Sequence, residues 1–122
     1  MRLIIGVLVL CTWMRIDANA SAISSTVELA KACRLVGSQQ RGDLEWEQLN
    51  AASSCIGYLY GFLGGYLINP TSPRDICPPK GLIPSQVTAV FVRWADNNPN
   101  MWHLQPWLAV QAALKDAFPC KP

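Results

Sequence analysis

The sequence predicts an all-α fold: a compact four-helix domain with two disulfides, preceded by a signal peptide. Three observations carry this reading. Apolar residues recur at helical spacing in four separate segments. No segment alternates apolar and polar convincingly with the period of two that a half-buried strand needs, so no sheet is expected. Proline, glycine and asparagine fill the gaps between the periodic segments, and short connections of that kind join helices into a bundle.

Residues 1–20 stand apart. Met1-Arg2 is a short positive start, Leu3 to Leu10 is apolar but for Gly6, and Cys11 to Met14 extends the run. Ala18-Asn19-Ala20 then offers small residues where a signal peptidase reads. The apolar run falls well short of the ~20 residues a membrane span requires, and Arg15 and Asp17 close it. Leu8-Val9-Leu10-Cys11 has the outline of a lipid-attachment box, but Leu10 is too large for the position before the cysteine. Export followed by cleavage after Ala20 is the expectation. It leaves a domain of residues 21–122 in the periplasm or outside the cell, with no membrane insertion afterwards.

The first helix opens on Ser25-x-x-Glu28, a capping box in which hydroxyl and carboxylate satisfy each other's backbone amides. Leu29, Cys33 and Val36 share a face over residues 26–36, and Gly37 is the expected stop. Residues 38–42 are polar and read as a loop. Asp43 is the expected cap of the second helix, with Glu45 and Glu47 favouring its dipole. Leu49, Ala52, Ile56, Leu59 and Leu63 give this helix its apolar face to about Leu67, and Asn69-Pro70 ends it. Pro84 suits the first position of a third helix carrying Val87, Val90, Phe91 and Trp94. Asn97-Asn98-Pro99-Asn100 is a turn, and Pro106 opens a fourth helix with Trp107, Val110, Leu114 and Phe118 inward.

Ser53, Gly57, Gly61 and Gly65 recur every four residues along the second helix. Glycine costs ~1 kcal/mol in a helix interior, so a gain must offset it. Close approach of another helix within the fold is the first expectation for Gly57, Gly61 and Gly65, and a subunit interface the second. The segment 56–68 is too short to span a membrane by itself.

Charge and cysteine usage narrow the function. Residues 21–122 hold eight Lys/Arg and seven Asp/Glu, a near-neutral balance that argues against nucleic acid as a partner. Cys33, Cys55, Cys77 and Cys120 are an even set in an exported chain, and no C-x-x-C or H-x-x-x-H pair suggests zinc. No metal or cofactor is expected.

A catalytic constellation is missing. His103 is the single histidine and lies beside Trp102 in the turn before the fourth helix. No serine has a nucleophile-elbow context, and Asp43, Glu45 and Glu47 read as helix-start charges rather than an acid–base pair. The glycines lie in a helix, not in a phosphate-cradling loop. Binding is left as the mode of action. Trp102, Trp107, Tyr58, Tyr60 and Tyr66 are many large aromatics for a short chain, and such residues serve cores and interfaces alike. Trp46 is the least obviously core-directed of the set.

Three ordered motifs then carry a resemblance. They are Cys55-Ile56-Gly57-Tyr58-Leu59-Tyr60-Gly61, then Cys77-Pro78-Pro79-Lys80-Gly81-Leu82 with Gln86-Val87, then Asn98-Pro99 followed by Ala109 to Ala113 and Ala117-Phe118-Pro119-Cys120. Together, over about residues 33–120, they resemble the Rap/Tai family of immunity proteins (resistance-associated protein, type VI amidase immunity). The resemblance implies a periplasmic, all-helical, disulfide-bonded protein, often a homodimer. It implies a non-catalytic role, binding and inhibiting a peptidoglycan amidase effector of type VI secretion. This chain departs from the pattern at Ile83-Pro84, where a hydroxyl usually caps the third helix, and at Gly64-Gly65, near a position often acidic.

Four cysteines allow three pairings. Cys33–Cys55 with Cys77–Cys120 is the expectation: the first clips helix one to helix two, the second ties the central loop to the C-terminus, and the chain stays unthreaded. Partner contact is expected from exposed loops, which can enter a concave cleft. The candidates are the turn 97–103, with Asn100, Trp102 and His103, and the loop 70–79, with Asp75. The competing reading is a periplasmic helical protein of structural or chaperone-like type without a toxin partner. A small hydrolase is a distant third.

Overall fold

The computed structural model describes residues 23–39 and 41–122. The signal-peptide reading of residues 1–20, Cys11 included, lies outside the described residues.

Helix α1 (Thr26–Arg34) begins as its capping box dictates. The Ser25 hydroxyl accepts the Glu28 amide at 3.4 Å, and the Glu28 carboxylate accepts the Ser25 amide at 3.2 Å. Glu28 also takes the Ser24 amide and hydroxyl at 2.8 and 2.7 Å. Gly37 does not stop this helix. After Leu35 the chain resumes in a single helical turn, Val36–Gln39, and Gly37 lies within it. The Leu35 amide bonds back to Ala32 and Cys33, so the break is a tightened right-handed turn that needs no left-handed residue. The left-handed position comes later, at Gly42 (φ +76°).

Helix α2 (Trp46–Ile68) starts later than Asp43 suggests. Gln48 lies three residues after Glu45, and its side-chain oxygen accepts the Glu45 amide at 3.1 Å. That satisfies the helix start from Glu45, and Asp43 turns to Arg41 instead at 3.2 Å. Asn69 ends α2 in extended conformation, as the residue before Pro70 must. Helix α3 (Pro84–Asn97) carries proline at its first position, and the Gln86 side chain accepts the Ile83 amide at 3.1 Å. The reaching glutamine supplies one half of a capping box, while no side chain takes the hydroxyl's part. Helix α4 (Pro106–Ala117) follows a short 3₁₀ turn, Pro99–Met101. No strand occurs among the described residues; the extended contact is one bridge between Ile76 and Pro119.

Helix α1 packs against the other three helices. Its Leu29 and Cys33 join Cys55, Leu59 and Leu63 of α2, Val87 and Phe91 of α3, and Val110 and Leu114 of α4 in one buried cluster. Burying a side chain of this kind contributes ~1.5–3 kcal/mol. The disulfides are Cys33–Cys55, inside this cluster, and Cys77–Cys120, near the surface. The inward register of α4 fails at Trp107, which is 47% exposed.

The glycine seam is overturned as an internal feature. Gly57, Gly61 and Gly65 are exposed, and a Cβ built on any of them meets no atom within 4 Å. The physical reason is rotational. Ala52, Cys55, Leu59 and Leu63 turn α2 toward the core, and the glycines fall on the opposite side of the same helix.

Candidate functional site

The two loop regions singled out in the sequence are both anchored. In the turn 97–103, the Asn98 side-chain amide donates to the Trp94 carbonyl at 2.8 Å. The Trp102 indole N–H donates to the Ala95 carbonyl at 2.8 Å, closing the end of α3. The Trp102 carbonyl then accepts the Val27 amide at 3.2 Å, and the Leu104 carbonyl accepts the Thr26 amide at 2.9 Å. The turn therefore satisfies orphan donors at the start of α1. Trp102 is half-buried and occupied in this role, whereas Asn100 and His103 project to solvent.

The loop 70–79 is tied at its far end. Ile76 is buried, the Cys77 amide donates to the Phe118 carbonyl at 2.8 Å, and the disulfide to Cys120 holds the same point. Asp75 is no free acid. Its carboxylate accepts the Tyr66 hydroxyl and meets Lys115 Nζ at 2.8 Å. Hydrogen bonds from Lys115 and then Tyr66 hold the Asp75 carboxyl below the usual carboxylate range. Burial first, then the Asp75 hydrogen bond and charge, pushes the Tyr66 hydroxyl up. The Asp75 hydrogen bond raises Lys115. This triad fastens the loop to α2 and α4.

The structure does not bring the two regions together. Asp75 bonds near the C-terminal end of α4, while His103 precedes its first residue. Lys115 is the tenth residue of α4, ~14 Å along the helix from Pro106. The turn 97–103 instead adjoins an open groove of about 310 Å³ between α3 and α4, lined by Val90, Arg93, Trp94, Asn97, Ala113 and Asp116 among others. The Trp94 indole donates to Asp116 across it at 3.1 Å. Arg93 and Asp116 are exposed and were not singled out in the sequence. The available signal was the spacing of Arg93 and Asn97, one turn apart on the polar side of α3. Among the described residues no cluster of three or more His, Cys, Asp or Glu could hold a metal ion.

Against this geometry, the family model of the Rap1a immunity proteins matches residues 25–120. The chain belongs to the Rap1a immunity protein family. The match covers both disulfides and all four helices. Comparison with curated proteins and with solved structures gave no match. A Rap1a immunity protein acts by binding a cognate effector, a non-enzymatic role. The two disulfides fit an extracytoplasmic member of the family.

Proposed function

We propose that this Rap1a-family protein works in the periplasm, where it binds and blocks a peptidoglycan amidase delivered by type VI secretion. The observation that carries the reading is the family match over residues 25–120. The exported-type N-terminus supports the location, because the cell-wall enzymes it would meet act there. Inhibition needs no chemistry from the inhibitor, only coverage of the cleft.

The contact surface we assign is the groove between α3 and α4 with the adjoining turn. Arg93 and Asp116 offer charge of both signs, and Asn97, Asn100 and His103 offer hydrogen bonds from a backbone already fixed. A fixed surface loses little entropy on binding. The test is co-expression of the full chain with a periplasm-targeted amidase encoded beside it. Rescue of growth is expected. No rescue, with no complex on gel filtration at micromolar concentration, would move the structural or chaperone-like reading ahead.

A further inference from the structure

Charge is segregated along α2. Residues 48–73 carry no charged side chain. Glu45 and Glu47 stand at the start of the helix, about 33 Å from its far end at 1.5 Å per residue. The far end is cationic. The Tyr66 hydroxyl bonds Asp75, which brings the loop 70–79 against the end of α2. The Cys77–Cys120 bridge, 4.9 Å between Cα atoms, then draws Arg74, Lys80 and Lys121 toward one point, and the Arg74 carbonyl lies 3.3 Å from Cys120 Sγ. All three cations are exposed, and none belongs to the three ion pairs found among the described residues. Of the acids nearby, Asp75 is neutralised by Lys115, and Asp116 lies in the α3–α4 groove, where the Trp94 indole holds it. A chain that is near neutral overall has one acidic end and one basic end.

The basic end also carries exposed apolar bulk. Leu67 is 52% exposed and Ile68 83%. The backbone around them needs no water. Leu67 and Ile68 lie within the helix. The Asn69 amide donates to the Gly65 carbonyl at 3.1 Å, the Thr71 amide to Asn69 Oδ1 at 3.0 Å, and the Ser72 amide to the Asn69 carbonyl at 3.1 Å. Pro70 and Pro73 have no amide proton to satisfy. From 67 to 73, every backbone donor is thus bonded within the chain or absent.

We propose that this end of the molecule docks on an anionic phospholipid surface. Ile68 and Leu67 enter the headgroup boundary, to the depth of about 5–10 Å that interfacial segments reach. Arg74, Lys80 and Lys121 meet the lipid phosphates. The backbone selects lipid over an acidic protein. A bilayer boundary penalises every unpaired amide, whereas a protein interface supplies bridging water, and this tip brings no unpaired amide between 67 and 73. Docking by this end also keeps Glu45 and Glu47 farthest from the negative surface. The contact is peripheral. Helix α2 is long and apolar enough to cross a membrane, but Cys55 is bonded to Cys33 of α1, and crossing would draw Glu28, Lys31 and Arg34 into lipid at high cost.

The test uses protein purified from the periplasm of a host expressing the full chain. It is floated with vesicles of phosphatidylethanolamine containing about one-third phosphatidylglycerol, or with vesicles of phosphatidylcholine alone. Flotation is expected on the anionic vesicles at about 0.05 M salt, with a fall at about 0.5 M as screening shortens, and none on the neutral ones. Arg74→Gln with Lys80→Gln should weaken binding about 25-fold, about fivefold for each cation. Ile68→Ser should weaken it about tenfold at both salt concentrations. Both variants change exposed side chains, so the far-ultraviolet circular dichroism spectrum should stay that of the parent. Lys31→Gln removes a cation two residues from Cys33, whose partner Cys55 lies about 20 Å along α2 from Ile68, and should change binding less than twofold. No flotation on the anionic vesicles, equal flotation on the neutral ones, or undiminished binding by the Arg74 and Lys80 variant would overturn the proposal. An Ile68→Ser variant that keeps its lipid binding and loses effector affinity would assign the tip to a protein partner and overturn it too. Growth rescue is scored separately, so lipid docking can fail while the immunity reading stands.

Discussion

Trp102 and Ala95 are joined across the turn between α3 and α4, the indole N–H donating to the Ala95 carbonyl at 2.8 Å. A tryptophan that reads in sequence as a partner contact is thereby a closing element of a helix. Trp102→Phe keeps an aromatic side chain and removes the donor, leaving the Ala95 carbonyl with the Asn98 amide as its remaining partner. Thermal or urea unfolding should show a loss of ~0.5–1.5 kcal/mol. Effector affinity should be unchanged.

Its neighbour should behave in the opposite way. His103 is exposed and neither indole nor carbonyl of the turn depends on it. His103→Ala should leave stability within ~0.5 kcal/mol of the parent. Combined with Arg93→Glu, it should weaken the effector complex in a titration. An unchanged affinity would place the contact surface elsewhere.

The two disulfides differ in access. Cys33 and Cys55 are fully buried, whereas Cys77 is exposed and Cys120 partly so. Stepwise reduction with alkylation and peptide mapping should open Cys77–Cys120 first. Replacing that pair by Cys77→Ser and Cys120→Ser should cost ~4 kcal/mol, the value expected when a crosslink of sequence separation 43 is released.

The loop clamp gives a pH dependence. The folded-state Asp75 and Glu28 carboxyls both lie below their ordinary range, Asp75 chiefly through Lys115 and Glu28 chiefly through Ser24. A depressed carboxyl adds stability above its unfolded pKa of ~4, and that stability is lost as pH falls through the folded value. Unfolding midpoints should therefore drop below about pH 4. Asp75→Asn should lower stability at neutral pH and flatten the acid limb. An acid limb as steep as the parent's would show that Asp75 is not ionised in a clamp.

Much of this architecture was legible in the sequence. Ser25 and Glu28 marked a helix start by mutual hydrogen bonding, a local signal that the fold leaves intact. The prolines at 70, 84 and 106 bounded helices because no packing can restore a missing amide proton. The expected pairing of the cysteines, one of three open to the sequence, is the one observed. What failed depended on tertiary choice. Gly37 could stop a helix or lie in one, and the tight turn at Leu35 decided it. Gly57, Gly61 and Gly65 stated that a face lacks bulk without stating what faces it. Arg93 and Asp116 become neighbours of one groove when α3 and α4 pack, and no motif joins them beforehand.

Gly37 yields its own check. Its side of the helical turn is open, with no atom within 4 Å of a Cβ, and its φ is right-handed. Gly37→Ala should stabilise the protein by up to ~1 kcal/mol. A loss of that size would mean a left-handed glycine at the end of α1 after all.

The central claim is inhibition by binding. The direct measurement mixes the purified protein with a type VI peptidoglycan amidase tested as its cognate effector and follows peptidoglycan hydrolysis as inhibitor is added. The account predicts stoichiometric loss of hydrolysis, formation of a stable complex, and recovery of the inhibitor chain intact. Undiminished hydrolysis at saturating protein, with the two eluting separately, would contradict it.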